Sequence, residues 1–257
     1  MTVWEHLPHA PVLAAGDIQV WRATPSVWEA YGARIELLLS TDERARLARF
    51  HRLEDRRDFG VAHALVRTLV AHHVGGDPRA LVFSIDANGK PHLVNPHVRL
   101  EFNLSTTHEC VLVVVSDARS VGVDVEAWDR SLSEADRESV AALAFSAEER
   151  AAVDRADPHD RLRAFYAIWS RKEAYLKATG AGITRGLDHF DVSADAADAR
   201  LLADRRTPDA VRRWALQAVE VAPRTSAAVA WDRDTAEPVR FVRCLDATPT
   251  LLLGGAA

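Results

Sequence analysis

The sequence predicts an α+β protein, a pseudo-twofold duplication of two similar subdomains that each pack a small antiparallel sheet against helices. The chain has 257 residues, more than one typical domain and fewer than two large ones. Strand-like apolar runs alternate along it with helical segments. A short motif at residues 40–45 returns at residues 146–151. We therefore expect two related halves with a ligand-binding cleft at their interface.

The repeat opens with the same helix start in each half. Ser40 is followed three residues later by Glu43, and Ser146, 106 positions further along, is followed by Glu149. Serine and glutamate at this spacing form a capping box, in which both side chains accept hydrogen bonds from the first backbone N–H groups of a helix. Both copies are therefore predicted to begin helices.

Each half also contains runs that are typical of β-strands. They lie at residues 18–21, 81–85 and 111–115 in the first half, and at 121–125, 216–221, 227–231 and 239–242 in the second. Asn88 and Gly89 form a strong tight-turn signal. We place the join near residues 117–120, which gives an N-terminal subdomain of residues 1–118 and a C-terminal subdomain of residues 119–257.

The composition excludes several classes of protein. With 48% hydrophobic and 27% charged residues, the chain is globular and not disordered. A net charge of −5 argues against binding nucleic acid or an anionic membrane through the overall field. Two cysteines are too few for a disulfide framework. The scarcity of cysteine is typical of a reducing compartment, so we expect a cytoplasmic protein. No apolar run reaches about 18 residues, so we expect no transmembrane segment.

Asp124 and Glu126 form the first candidate site. They alternate with apolar residues in a predicted strand, so both side chains should project from one face. Two adjacent carboxylates repel each other unless a cation or a proton lies between them, and such oxygen ligands suit Mg²⁺ or Mn²⁺. An exposed strand edge with two solvated acids is the alternative interpretation.

A predicted helix at residues 160–178 carries the second candidate site. Gly180 should end this helix. Glu173 lies one turn after Trp169 at the rim of an apolar stripe, and Lys177 follows one turn later. The spacing predicts a partly desolvated Glu173–Lys177 pair. An ordinary surface salt bridge explains the same spacing.

Three weaker signals lie in the first half. Lys90 follows the turn and could bind a phosphate. Residues 102–108 place small hydroxyl and amide side chains before an apolar strand. Such side chains can form an anion-binding site, and they are also common in ordinary turns. Six arginines follow the first capping box at residues 44–57, either as a ligand-binding face or as a solvated one.

The use of lysine is unusual. Of the 32 basic residues only Lys90, Lys172 and Lys177 are lysine, and the others are arginine. The lysine ammonium is a compact point charge, whereas the arginine guanidinium is planar and differs in hydration and reach. The three ammonium groups are therefore candidates for positions that need a compact cation, although chance could also leave so few.

Taken in order, these segments resemble the 4′-phosphopantetheinyl transferases of the surfactin-synthetase-activating type. The matching segments are residues 89–91, 102–105, 121–126, 145–149 and 169–177. The G-x-D-x-E and W-S-x-K-E-x-x-x-K motifs are specific when they occur together at this separation. All three lysines of the chain fall inside the matching segments.

The resemblance implies a transferase that moves the 4′-phosphopantetheine arm of coenzyme A to a serine hydroxyl of an apo acyl or peptidyl carrier protein, releasing adenosine 3′,5′-bisphosphate. It implies Mg²⁺, or Mn²⁺ in its place, and coenzyme A at the interface of the two halves. The N-terminal half would bind coenzyme A, and the C-terminal half would carry the metal and catalytic motifs. A duplicated chain needs no second copy, so a monomer is expected.

By the same resemblance, Asp124, Glu126 and Glu173 hold the metal ion. Glu173, Lys177 and Lys172 are the catalytic residues. Attack by a neutral serine needs a base for its proton, and we expect Glu173 to act as that base, directly or through a metal-bound water, with Glu126 or a water acting with Asp124 as the alternative. The residues expected to contact coenzyme A are Arg46, Arg57, Lys90, Ser105, Thr106 and Lys177.

Two positions depart from the family's pattern. Many members have histidine where this chain has Thr106, and many have lysine where it has Glu43. A threonine hydroxyl can donate a hydrogen bond to a phosphate but carries no positive charge at any pH. The chain therefore offers fewer cations for the 3′-phosphate than the family's pattern would.

Two other functions fit the same residues. A Mg²⁺-dependent hydrolase would use the three acids to cleave a nucleotide pyrophosphate with water. A non-catalytic module would bind coenzyme A or a carrier protein without transfer. The hydrolase would release adenosine bisphosphate without an acceptor, and the binding module would not increase the mass of the carrier.

Overall fold

The computed structural model describes residues 2–7, 9–95, 97–129, 133–182, 186–195, 198–235, 238–239 and 241–253. The chain divides into two compact units. Unit 1 comprises Met1–Arg119 and Glu237–Ala257, and unit 2 comprises Ser120–Ala236. Both units combine helices with small sheets, which confirms the predicted α+β class. No helix in the described ranges is long and apolar enough to cross a membrane.

Unit 1 is built on a five-stranded sheet. Its strands are β1 (Trp4–His6), β2 (Asp17–Ala23), β5 (Leu100–Thr106), β6 (Val111–Asp117) and β12 (Phe241–Asp246), in the order β1-β12-β2-β6-β5. A hairpin is formed by β3 (Phe83–Ile85) and β4 (Pro91–Leu93). The helices are α1 (Val27–Glu36), α2 (Thr41–Leu47), α3 (Leu53–Val74) and α8 (Pro249–Leu252). The long helix α3 packs on β5 and β6.

Unit 2 has a three-stranded antiparallel sheet. Its strands are β7 (Val121–Ala127), β10 (Trp214–Ala218) and β11 (Thr225–Asp232), in the order β10-β11-β7. The strands β8 (Phe190–Val192) and β9 (Leu201–Asp204) form a separate pair. The helices are α4 (Glu134–Ala144), α5 (Ala147–Arg155), α6 (Arg161–Thr179) and α7 (Ala210–Arg213). The long helix α6 packs on β7 and β11.

The two units share one order of elements. In each, a strand is followed by three helices, of which the third is the longest, then by a two-stranded pair and by two further strands, before which unit 2 inserts the short helix α7. The strand order β2-β6-β5 in unit 1 matches β7-β11-β10 in unit 2. The duplication predicted from the repeated motif is therefore present in the fold.

Both predicted capping boxes are confirmed. Ser40 Oγ accepts from Glu43 N at 3.2 Å, and Glu43 Oε2 accepts from Ser40 N at 2.9 Å. Ser146 and Glu149 make the same pair of hydrogen bonds at 3.1 and 2.9 Å. The predicted end of the long second-half helix is also confirmed, because Gly180 follows α6 with a left-handed φ of 66°.

The C-terminal segment corrects the predicted domain boundary. Residues 237–257, assigned from the sequence to the second half, belong to unit 1. Strand β12 pairs in parallel with β1 and β2, and Leu251 and Leu252 are buried in the core of unit 1. The apolar run at residues 239–242 predicted a strand that overlaps the start of β12, with residue 240 outside the described residues. Local periodicity carries no information about which distant strand becomes its partner.

Candidate functional site

The predicted acidic strand is β7, an edge strand of the unit 2 sheet. Asp124 pairs with Ala228 of β11, and Glu126 pairs with Ser226. Both acidic residues project from the same face because alternate residues of a strand do so. The Asp124 side chain is only 4% exposed, so this carboxylate is buried. The prediction that the two acids share a strand face therefore holds.

Gly122 brings this strand into direct contact with α6. A Cβ atom at this position would overlap the carbonyl oxygen of Ala174 and the backbone nitrogen of Ala178. Helix and strand backbones can approach this closely only where no side chain separates them. This close contact places the C-terminal half of α6 beside Asp124.

Lys177 bridges the helix and the strand. Its Nζ donates to Asp124 Oδ1 at 2.7 Å and to the carbonyl oxygen of Val123 at 3.3 Å. The sequence predicted an ion pair with Glu173 on the same helix. The ion pair at 2.7 Å instead runs to β7, while the charge of Lys177 only opposes the rise that burial causes in the pKa of Glu173.

Glu126 and Glu173 are influenced by the same neighbouring carboxylate. Burial raises the pKa of Glu126 to about 7, and the negative charges of Asp124 and Glu173 add to the rise. Burial also raises the pKa of Glu173, with a further contribution from the charge of Asp124. Because the charge of Asp124 acts on both Glu126 and Glu173, the three carboxylates lie within a common electrostatic site.

Asp124, Glu126 and Glu173 have the oxygen donors of a hard-cation site, although their side chains are not grouped closely enough to coordinate one ion. Throughout the described ranges, no group of three or more His, Cys, Asp or Glu side chains is placed to hold a metal ion. The ammonium of Lys177 supplies positive charge to Asp124. Mutually repelling carboxylate oxygens are nevertheless the donors that Mg²⁺ and Mn²⁺ prefer. The donor chemistry therefore fits a divalent cation.

Trp169 was predicted only as part of an apolar stripe, but it also orients an acid. Its indole Nε1 donates to Glu126 Oε1 at 3.0 Å. The ring lies against Phe145 and Phe165, with centroid distances of 6.4 and 6.5 Å. The position of Trp169 one turn before Glu173 was the available signal, yet its partner on β7 could be recognised only from the fold.

Lys172 lies in the interior of unit 2. Its Nζ is 2.8 Å from Glu149 Oε2, and its side chain is 1% exposed. Burial raises the pKa of Glu149 and lowers the pKa of Lys172, while their mutual attraction opposes both shifts. This placement favours a structural role for Lys172 over the catalytic role predicted from the sequence.

In unit 1, Arg46 lines a cavity of about 610 Å³. The guanidinium of Arg46 lies 4.9 Å from the ring centre of Phe59. Apolar side chains and further arginines complete the lining, among them Arg49, Arg67, Arg79, Phe83, Pro91 and Phe102. A cavity with aromatic walls and several cations has the composition expected for an anionic ligand with a ring system.

Four further predicted coenzyme A contacts also lie in unit 1, whereas Lys177 lies in unit 2. Lys90 Nζ is 3.6 Å from Glu101 Oε2, and burial lowers the pKa of Lys90. Ser105 and Thr106 end β5, with Ser105 buried and Thr106 exposed. Arg57 is partly engaged within the unit, because its Nη2 donates to the carbonyl oxygen of His108 at 2.8 Å.

Comparison with known proteins defines the class. The family model of the 4′-phosphopantetheinyl transferase superfamily matches residues 120–231. The model of the 4′-phosphopantetheinyl transferase N-terminal domain matches residues 19–119. The two matches meet at the boundary between residues 119 and 120 that separates the units. The chain belongs to the 4′-phosphopantetheinyl transferase superfamily, a family of transferases.

Individual relatives support this membership. The chain is 32% identical over 192 residues to the 4′-phosphopantetheinyl transferase HetI of Nostoc sp., and the aligned region covers 74% of this chain and 79% of HetI. It is 31% identical over 186 residues to psf-1 of Bacillus pumilus, covering 71% and 76%. It is 28% identical over 162 residues to Sfp of Bacillus subtilis, covering 62% and 68%. The predicted resemblance to this family is therefore confirmed.

Proposed function

We propose that the protein transfers the 4′-phosphopantetheine arm of coenzyme A to a serine hydroxyl of apo acyl or peptidyl carrier proteins and releases adenosine 3′,5′-bisphosphate. The observation that carries the proposal is the meeting of β7 and α6, where Asp124, Glu126, Glu173 and Lys177 share one electrostatic site. Membership of the transferase family gives that site its reaction class.

The three acids would hold Mg²⁺, with Mn²⁺ as a substitute. Asp124 and Glu126 present their carboxylates from β7, and Glu173 presents its own from α6. A bound dication supplies positive charge to the pyrophosphate oxygens of coenzyme A. Lys177 adds an ammonium beside Asp124, where it neutralises charge on the same phosphates.

In the reaction, the serine oxygen forms a bond to the β-phosphorus of coenzyme A. The bond from that phosphorus to the bridging oxygen breaks, and the leaving group is adenosine 3′,5′-bisphosphate. Glu173 takes the serine proton, and Glu126 is the alternative acceptor. A positioned carboxylate of this kind commonly contributes about 10²–10⁴-fold to such a step. Positioning and charge stabilisation supply most of the remaining acceleration.

Unit 1 would bind the nucleotide end of coenzyme A. Arg46 lines the cavity of about 610 Å³, whose aromatic walls suit an adenine ring. Lys90, Ser105 and Thr106 offer an ammonium and two hydroxyls for phosphate oxygens. Arg57 would contribute to the 3′-phosphate from the N-terminal half of α3. A monomeric protein working in the cytoplasm fits these assignments.

The test uses purified protein, coenzyme A, Mg²⁺ and several apo carrier proteins, followed by intact-mass spectrometry. We expect the carrier to gain one phosphopantetheine group and adenosine bisphosphate to appear in equal amount. Both should require the acceptor serine, which a Ser→Ala carrier lacks. Release of adenosine bisphosphate without a carrier would identify a hydrolase. Binding of coenzyme A with no change in carrier mass would identify a binding module.

A further inference from the structure

The ammonium of Lys172 already has three acceptors in the protein interior. Nζ lies 2.8 Å from Glu149 Oε2, 2.7 Å from the carbonyl oxygen of Leu187 and 2.5 Å from that of Phe190. It also lies 4.3 Å from the ring centre of Phe190. A lysine ammonium has three N–H donors. These contacts can therefore use all of its donors within unit 2.

Glu149 connects three elements at the other end of this contact. Its Oε2 accepts from Ser146 N at 2.9 Å, at the start of α5. Its Oε1 accepts from Val192 N at 2.8 Å, at the end of β8. With Lys172 of α6 as the third partner, this single carboxylate joins α5, α6 and β8, and it is 2% exposed.

Unit 1 contains a related contact between a capping glutamate and a cation of its longest helix. Glu43, the capping residue of α2, accepts from Arg67 of the long helix α3. Arg67 Nη1 also donates to the carbonyl oxygens of Pro78 and Leu81, at 2.6 and 3.1 Å, just before the hairpin. The side chain of Arg67 is 3% exposed. The contact therefore recurs in a unit where the functional acids of β7 have no counterpart.

We infer that Glu149 and Lys172 form an internal brace that fixes the rotation and depth of α6 and thereby positions Glu173 and Lys177. Lys172 is a positioning residue, and coenzyme A does not contact it. Successive residues of a helix point about 100° apart. When Lys172 is locked to the interior, Glu173 is turned to a defined direction beside β7.

The consequence for catalysis follows from the sensitivity of reactions to geometry. A displacement of about 1 Å at a reacting group can cost about 10²-fold in rate. A brace that limits rotation of α6 should therefore affect kcat. The affinity for coenzyme A should change little, because the brace does not touch that ligand. The kinetic part of this inference rests on the proposed function.

The experiment compares Lys172→Met, Glu149→Gln and the double variant. Lys172→Met alone should lower the melting temperature most, because it leaves a buried carboxylate without its cation. Adding Glu149→Gln should restore a large part of the loss. At a temperature where it is fully folded, the double variant should keep KM for coenzyme A within about twofold and lose about tenfold in kcat.

Two controls separate the brace from other effects. Arg213→Met removes an ion pair of 2.7 Å with Asp232 that joins α7 to β11, and it should leave kcat unchanged. Glu43→Gln with Arg67→Met should show the same partial restoration of melting temperature in unit 1. The melting temperatures, and calorimetric binding of coenzyme A, test the brace even if the wild type proves inactive as a transferase.

Other results would overturn the inference. A KM for coenzyme A raised more than about tenfold in the double variant would mean that Lys172 contacts the substrate. Wild-type kcat and KM in the folded double variant would mean that the pair contributes stability alone. A melting temperature that Glu149→Gln fails to restore would show that the two residues do not act as a pair.

Discussion

The two units have the same scaffold but different chemistry on one pair of matching strands, β2 in unit 1 and β7 in unit 2. The middle strands β6 and β11 can be aligned at their first residues, because Val111 pairs with Ala23 of β2 and Thr225 pairs with Ala127 of β7. In this alignment Val20 and Arg22 of β2 correspond to Asp124 and Glu126 of β7. In unit 1, Arg22 is neutralised by Asp246 of β12 at 2.7 Å. In unit 2, β7 is an edge strand whose acids lie beside α6.

The difference separates the residues that build the fold from those that carry the reaction. Capping boxes and buried glutamate–cation contacts occur in both units, so they belong to the duplicated scaffold. The carboxylates of β7 and the ammonium of Lys177 occur in unit 2 alone at these positions. Their removal should affect activity, whereas removal of the shared features should first affect stability.

The largest expected effect is that of Asp124→Asn. This isosteric change removes the charge that Lys177 contacts, and we expect transfer to fall by about 10³-fold while the protein stays folded. The matched control is Asp246→Asn in unit 1, which breaks an arginine pair of the same 2.7 Å length. The control should lose stability and keep its kcat. Near-normal turnover by folded Asp124→Asn would remove the basis of the proposed site.

Gly122→Ala should have the next largest effect. The added Cβ would overlap backbone atoms of α6, which cannot move without displacing the helix. Overpacking of this kind costs about 1–3 kcal/mol, so the melting temperature and kcat should both fall. Gly32→Ala in unit 1 is the comparison, since its Cβ would meet only the Trp28 ring at 3.0 Å. Equal effects of the two changes on kcat would contradict this account.

Trp169→Phe should produce a smaller loss. Phenylalanine keeps the packing against Phe145 and Phe165 but cannot donate to Glu126. A net hydrogen bond is worth about 1 kcal/mol, so we expect kcat to fall about fivefold. The counterpart in unit 1 is Trp21→Phe, which removes an indole bond of 3.1 Å to Gln19. Thermal unfolding should detect that change, and steady-state kinetics should not.

The smallest expected effects concern the pH dependence of stability. In unit 1, burial alone would raise the pKa of Glu43, but hydrogen bonds from His63, Arg67 and Ser40 outweigh it and lower the pKa to about 2. An unfolded glutamate has a pKa of about 4.3, so the unfolded chain takes up the proton first as the pH falls. Glu43→Gln should therefore make the decline of melting temperature below about pH 4.3 less steep.

The capping glutamate of unit 2 should show the opposite sign. Burial raises the pKa of Glu149, so the folded protein takes up the proton first as the pH falls. This uptake stabilises the fold on acidification from neutral pH, and Glu149→Gln should remove that contribution. Melting curves between about pH 7 and pH 4.3 would measure it. If Glu43→Gln and Glu149→Gln changed the pH dependence of the melting temperature in the same direction, the two contacts would respond alike to acid, contrary to this prediction.

Much of the fold could be predicted from the sequence because the signals were local. The capping boxes depend on residues three apart, and the end of α6 depends on Gly180. The alternation of apolar and acidic residues in β7 is enough to place two acids on one face of the strand. Periodicity of this kind is set by backbone geometry and survives in any tertiary context.

The features that the sequence did not predict depend on long-range pairing. Strand β12 joins the sheet of unit 1 although it follows unit 2 in the chain. Lys172 lies in the motif, yet only the fold shows that its ammonium meets Glu149 and two carbonyl oxygens. The indole of Trp169 likewise donates a hydrogen bond to Glu126, which lies 43 residues earlier in the chain. No local pattern encodes which residue of another element covers a side chain.

The central claim is that three acids from two elements of unit 2 bind one dication. Calorimetric titration of Mn²⁺ in the presence of coenzyme A tests it most directly, using wild type, Asp124→Asn, Glu126→Gln and Glu173→Gln. We expect each substitution to weaken Mn²⁺ binding by at least about tenfold, and Asp246→Asn in unit 1 to leave it unchanged. Wild-type affinity in any of the three folded site variants would contradict the claim.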